Sequence, residues 1–209
     1  MSDLPPAGSH IHLTAICGVG MASLAGLLKA RGYRVTGSDQ NIYPPMSTYL
    51  ADTGINVLAG FRAGHLVPRP DLVVIGNAVS RNNPEAEAVL NQGIDYISFP
   101  QALGRFLIGA RSSLVVAGTH GKTTTCALAA WVLTSAGLDP GFFVGGVPVN
   151  FASGWNVGTG EHVVLEGDEY DSAFFDKGPK FLHYRPRHVI LTSVEFDHAD
   201  IYRDLDHVK

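Results

Sequence analysis

Hydrophobic positions along the chain fall into short continuous runs, each followed by a turn signal and then a longer stretch with helical spacing. Residues 10–16 form a β-rich run. Gly18 and Gly20 follow, and 21–31 reads as an apolar helix stopped by Gly32. A strand is expected at 33–36, before Gly37-Ser38-Asp39. Pro44-Pro45 opens a helix through about residue 52, and Gly54 closes it. The run at 71–75 (DLVVI) is apolar throughout, Asn83-Pro84-Glu85 opens another helix, 95–98 is a short strand, and 100–108 is helical. Strands alternating with helices predict an α/β architecture with a parallel sheet covered on both faces.

The pattern restarts near residue 111. A strand at 114–117 leads through a glycine loop into a helix at 123–136 (TTTCALAAWVLTSA), which is apolar almost all the way round and is therefore expected to be buried against a sheet. Further strands are expected at 142–144, 162–165 and 189–192, with a glycine-rich loop at 150–160. A boundary near 108–112 divides the chain into domains at 1–109 and 110–209.

Composition narrows the class. The chain has 209 residues, 45% of them hydrophobic, and a net charge of −4, which suits one or two ordinary domains and provides no general attraction to nucleic acid or anionic membrane. No apolar run approaches the roughly 18 residues of a membrane span, and the N-terminus lacks the pattern of a secretory signal. Cys17 and Cys126 stand too far apart for a metal framework and read as reduced, buried thiols of a cytoplasmic protein.

Candidate chemistry gathers at four places. VVAGTHGKTTT sends a strand through Gly118, Thr119, His120 and Gly121 into a helix that begins with Lys122, Thr123 and Thr124. Backbone N–H groups and the helix dipole converge at such a turn, the lysine supplies a cation between phosphates, and the threonine hydroxyl suits Mg²⁺. The spacing is shorter than G-x-x-x-x-G-K-[ST]. ICGVGMAS places Gly18, Val19, Gly20 and Met21 after the first strand, with Asp39 about 20 residues further on, as in a dinucleotide fingerprint. NAD, another diphosphate ligand and a purely structural turn all fit that spacing. LEGDEYD (Glu166, Asp168, Glu169) and EFDHAD (Asp197, His198) lie just past strands. In a parallel sheet both would face the edge that carries the phosphate loop, where carboxylates and an imidazole could hold metal ions.

Together, AGTHGKTTT, LEGDEYD and EFDHAD resemble the Mur ligase family, ATP-dependent amide-forming enzymes of peptidoglycan assembly, whose phosphate loop has this short spacing. ICGVGM and TGSDQN resemble that family's N-terminal domain, where the glycine turn cradles the diphosphate of a UDP-sugar. The resemblance implies a Rossmann-like UDP-sugar domain followed by the first part of a P-loop ATPase-type domain. YPPMSTYL, IGNAVSRNNPE, FFVGGVPVNF and AFFDK look most like the members that join UDP-N-acetylmuramate to the tripeptide L-Ala-γ-D-Glu-meso-diaminopimelate in cytoplasmic peptidoglycan recycling. Members that add a single L-alanine to the same sugar are the alternative, and for this chain alone a non-catalytic nucleotide-sugar binding module is a third reading.

The resemblance further implies an acyl phosphate formed from the lactyl carboxylate and ATP, then attacked by the peptide amine. Lys122 would bind the β- and γ-phosphates, Thr123 and Glu166 a first Mg²⁺, and His198 a second, with Asp168, Glu169 and Asp197 supporting them. Gly18, Val19, Gly20, Met21, Ser38, Asp39 and Asn77 match the UDP-sugar domain. Many relatives carry Asn a few residues before the Asp-His pair, where this chain has Thr192-Ser193, so that role is open. The family's enzymes have three domains. By that measure the chain lacks the C-terminal domain and is expected to be inactive as a ligase alone.

Overall fold

The computed structural model describes residues 4–168 and 170–195. They divide into two compact units: one takes the chain up to Phe106 together with Tyr170–Pro179, and the other takes the rest from Leu107 onward.

In the first unit, β1 (His10–Thr14), α1 (Val19–Ala30), β2 (Arg34–Asp39), α2 (Met46–Asp52), β3 (Asn56–Ala59), β4 (Leu72–Ile75), α3 (Pro84–Asn91), β5 (Tyr96–Ser98) and α4 (Phe99–Leu103) follow in order. A single π turn, Gly104–Ile108, continues from α4. The sheet order is β3-β2-β1-β4-β5, and every pairing is parallel. The chain runs outward from β1 to β3 and then returns to the other side of β1 with β4. That reversal opens a crevice at the carboxyl ends of β1 and β4, where α/β sheets bind ligands. All residues of β1 and β4 are buried, as expected of central strands covered on both faces. Helix α3 starts where Asn83 caps it, its side chain accepting from the N–H groups of Glu85 and Ala86, with Pro84 in the first turn. Its apolar face, Ala86 and Val89, packs on Val73 and Ile75.

The second unit contains β6 (Ser112–Ala117), α5 (Lys122–Ser135), β7 (Gly141–Phe143), β8 (Trp155–Asn156) and β9 (His162–Glu166). The chain then forms a hairpin of β10 (Asp171–Ala173) and β11 (Asp176–Pro179), which belongs to the first unit. There Phe174 and Phe175 pack against the cluster around α3, Phe175 stands edge-on to Tyr96 at 4.9 Å, and Ser98 donates to Asp176. Strand β12 (His188–Leu191) closes the second unit, giving the sheet order β12-β6-β9-β7-β8. All its pairs are parallel except β7 with β8.

Several expectations need correction. Strand β3 was not anticipated: NVLA pairs through its backbone at a sheet edge, with half-buried or exposed side chains that leave no apolar run. The 150–160 loop contains β8, an antiparallel edge strand of only two residues. Helix α5 is not buried all round. Cys126 and Ala130 face the core, while Leu128, Trp131 and Val132 stand 60%, 41% and 56% exposed. One layer of sheet can cover only one stripe of a helix, whatever the composition of its other faces. No helix among the described residues is long and apolar enough to cross a membrane.

Candidate functional site

The phosphate-loop candidate follows β6, at the carboxyl edge of the second sheet. Parallel register places Val116 opposite Glu166 of β9 on one side and Ala117 opposite Leu191 of β12 on the other. Gly118 and Gly121 both have positive φ, +126° and +76°, a region that L side chains rarely adopt. At Gly118 space matters as well: a Cβ there would lie 2.4 Å from Thr192 Oγ1 and 2.7 Å from the Ser193 carbonyl oxygen. Gly121 caps α5 in the left-handed conformation, so that the first helical residue is Lys122.

The side chains at this edge are already organised. Lys122 Nζ folds back onto the loop and donates to the carbonyls of Gly118 (2.6 Å) and Thr119 (3.3 Å). Thr123 donates from Oγ1 to Glu166 Oε2 at 3.1 Å, while the other carboxylate oxygen accepts from the Gly145 N–H at 2.7 Å. Asp168 pairs with Lys180 at 2.6 Å, and Lys180 N also donates to the Asp168 carbonyl. His120 is exposed, with Nε2 3.9 Å from Glu195. Thr192 and Ser193, left without a role by the sequence, both hydrogen-bond to the loop. Glu169, Asp197 and His198 lie outside the described residues. Among those described, no three His, Cys, Asp or Glu side chains cluster as metal ligands.

The first unit presents a second candidate edge. Gly18 caps α1 in an extended conformation, and a Cβ there would meet only the Ala15 carbonyl, at 3.8 Å. The approach to Gly18 is therefore open to a ligand. Gly20 differs, because its Cβ would meet the Phe99 ring at 3.3 Å, so its small size serves helix packing. Val19 is 53% exposed, whereas Met21 is buried in the core. Asn77 lies exposed in the turn after β4, the strand that pairs with β1. Asp39 does not reach outward: Oδ2 accepts from the Cys17 N–H at 2.8 Å and Oδ1 from the Asn41 N–H at 2.9 Å. Its carboxylate braces the glycine turn. The Ser38 hydroxyl is fully buried and donates to Glu85 at 2.6 Å, so its side chain is committed to the interior.

That contact belongs to a network the sequence did not reveal. Glu85 is fully buried, and its Oε1 accepts from His12 Nε2 (2.9 Å), Thr14 Oγ1 (2.9 Å) and Ser38 Oγ (2.6 Å). Oε2 is 3.1 Å from His65 Nδ1. Burial alone would push this carboxyl up, but the hydrogen bonds from His12 and Ser38, the attraction of His12 and the bond from Thr14 together hold it below the ordinary range. Thr36 Oγ1 lies 2.8 Å from both His12 Nδ1 and His10 Nε2. Thr36 therefore links the two imidazoles, and His12 Nε2 faces the carboxylate of Glu85. His10 Nδ1 is buried and has no hydrogen-bond partner among the described residues. Burial, first, and then Arg34 and His12 push the His10 pKa down to about 4 and keep it neutral. The available signal was the alternation HIHLT: polar residues on one face of a strand buried on both faces require a partner.

A family model described as "Mur ligase family, catalytic domain" matches residues 10–111. A relative from Escherichia coli (strain K12), named UDP-N-acetylmuramate--L-alanyl-gamma-D-glutamyl-meso-2,6-diaminoheptandioate ligase, is 54% identical over 196 residues, 94% of this chain and 43% of its own. Residues 10–111 form a Mur ligase family domain. A crystal structure of the corresponding ligase from Neisseria meningitides superposes with a TM-score of 0.90 at 47% identity, over 97% of this chain and 65% of that one. A relative from Carboxydothermus hydrogenoformans, named UDP-N-acetylmuramate--L-alanine ligase, is 38% identical over 95% of this chain and 41% of its own. The chain thus spans less than half the length of these curated Mur ligases. The family model covers the first sheet, whereas the candidate phosphate loop lies beyond its matched range, and there the likeness rests on the individual relatives.

Proposed function

We propose that the protein to which this chain belongs is an ATP-dependent ligase that joins UDP-N-acetylmuramate to the tripeptide L-Ala-γ-D-Glu-meso-diaminopimelate through an acyl phosphate. The observation that carries the reading is the 3.1 Å contact between Thr123 Oγ1 and Glu166 Oε2, beside the Lys122 loop. Adjacent oxygen ligands of an octahedral Mg²⁺, each about 2.1 Å from the ion, stand about 3.0 Å apart. A hydroxyl and a carboxylate at that separation, one on the phosphate loop and one on the neighbouring strand, fit a shared hard cation. Mg²⁺ bound there would neutralise phosphate charge while an anionic carboxylate approaches the γ-phosphorus.

The chain's own groups divide the work. Gly121 through Thr124 present the amino end of α5 to the phosphates. Lys122 exchanges its two loop carbonyls for phosphate oxygens. The Gly145 N–H fixes the Glu166 carboxylate so that Oε2 faces Thr123. In the first unit the crevice at Gly18 and Asn77 takes the UDP-sugar diphosphate, with Asp39 holding the turn in shape through Cys17. The preference for tripeptide follows the higher identity to the E. coli enzyme, 54% against 38% for the L-alanine-adding relative.

The test is phosphate release from ATP by the whole gene product with UDP-N-acetylmuramate present and either tripeptide or L-alanine added. Release dependent on tripeptide and abolished by Lys122→Ala is expected. Equal or greater release with L-alanine would reassign the amino substrate, and no release with either would refute the ligase reading.

A further inference from the structure

Thr192 and Ser193 were the one motif position that the family resemblance left without a role. Strand β12 ends at Leu191, opposite Ala117, and the chain beyond it remains bonded to the loop residue by residue. Thr192 N donates to the Ala117 carbonyl at 3.0 Å, and Thr119 N donates to the Ser193 carbonyl at 3.0 Å. His120 N donates to Ser193 Oγ at 3.1 Å. Thr192 Oγ1 lies 2.6 Å from the His120 carbonyl and 3.2 Å from that of Ala117, so its single proton goes to the nearer one. Glu195 N donates to Thr119 Oγ1 at 2.9 Å. The space a side chain would need at Gly118 is filled by these same two residues.

A phosphate site must aim N–H groups at the anion and turn carbonyls away from it. The Thr192 hydroxyl ties down the carbonyl of His120, at the tip of the loop. Ser193 engages the N–H groups of Thr119 and His120. What the loop offers an anion then begins at Gly121, with the N–H groups at the start of α5, whose acceptors a helix cannot itself supply. We infer that Thr192 and Ser193 are positioning residues of the phosphate loop: their backbone groups hold Ala117 and Thr119, and their hydroxyls fix the carbonyl and N–H of His120, in the conformation that confines the phosphate-facing donors to Gly121–Thr124. They act on ATP through the shape of the loop and without touching it. The inference rests on the nucleotide reading of this loop.

The experiment is calorimetric titration of a non-hydrolysable ATP analogue with Mg²⁺ into the whole gene product and into its Thr192→Ala, Thr192→Ser and Ser193→Ala variants. Alanine and serine at 192 differ only in the hydroxyl oxygen. Loss of one hydrogen bond that shapes the loop predicts binding about three- to tenfold weaker for Thr192→Ala and for Ser193→Ala. Thr192→Ser should bind within twofold of the parent, a rescue that a purely space-filling role would not give. Amide exchange at His120 should quicken in Ser193→Ala, because Ser193 Oγ is its acceptor. Parent-like affinity in Thr192→Ala, or a Thr192→Ser variant as weak as Thr192→Ala, would overturn the inference. Should the 192 variants fail to fold, fast His120 exchange in Ser193→Ala with undiminished affinity would overturn it equally. A parent protein that does not bind the analogue would remove the nucleotide reading itself.

Discussion

Replacing Glu85 by alanine tests whether the buried polar layer of the first sheet is a structural keystone. The carboxylate is fully buried and serves three donors that are themselves buried: His12 Nε2, Thr14 Oγ1 and Ser38 Oγ. Each donor left without a partner costs about 1–3 kcal/mol. The two hydroxyls can rotate toward other acceptors, but His12 cannot turn without giving up Thr36. One full penalty, two partial ones and a small cavity sum to about 3–5 kcal/mol, at the upper end of single substitutions. Glu85→Gln keeps an oxygen for the three donors and should cost only about 1–2 kcal/mol. Both tryptophans, Trp131 and Trp155, lie in the second unit, so fluorescence would miss the change. Amide hydrogen exchange of β1 and β2 reads the first unit directly. The carboxyl is held below its ordinary value in the folded state. Its stabilisation is therefore present in full above the unfolded value, about 4.3, and is lost as pH falls through the folded value. Glu85→Gln should remove that acid dependence. A loss below about 1 kcal/mol in Glu85→Ala at pH 7, or acid sensitivity unchanged in Glu85→Gln, would refute the reasoning.

Gly118→Ala should destabilise the second unit, since strain at φ +126° alone costs roughly 1–3 kcal/mol and the new Cβ meets Thr192 Oγ1 at 2.4 Å; urea unfolding followed by tryptophan fluorescence measures it, and a midpoint equal to the parent's would contradict the assigned conformation. Burial, and then the Asp39 charge, pushes the Cys17 thiol up to about 11, while burial and then Glu166 raise Cys126 further. Iodoacetamide at pH 8 should therefore label Cys17 in the native chain on the order of a hundredfold more slowly than in urea, and Cys126 more slowly still; comparable native and unfolded rates would show the thiols to be accessible thiolates.

The alternation of apolar runs and helical stretches was enough to determine an α/β chain, because a strand covered on both faces is mostly apolar and admits polar residues, such as His12 and Thr14 of β1, only where buried partners meet them. The candidate phosphate loop could be picked out for a related reason: the chemistry proposed for it needs glycine, lysine and threonine consecutively, so backbone geometry and side chains are encoded within one short stretch. Local sequence also carried the cap of α3, since Asn83 bonds residues two and three positions away. Tertiary structure alone decided everything that depends on partners distant in the chain. It returned the 171–179 hairpin to the first unit, where Phe174 and Phe175 find an apolar surface. It brought Glu166 to Thr123 across 43 positions and Thr192 to His120 across 72. It gathered His12, Thr14, Ser38 and Glu85 from three separate elements into one buried cluster, turning Ser38 away from the crevice. A hydroxyl, imidazole or carboxylate in the sequence specifies how many hydrogen bonds it must make, and which groups make them is settled when strand order and register bring those groups within about 3 Å.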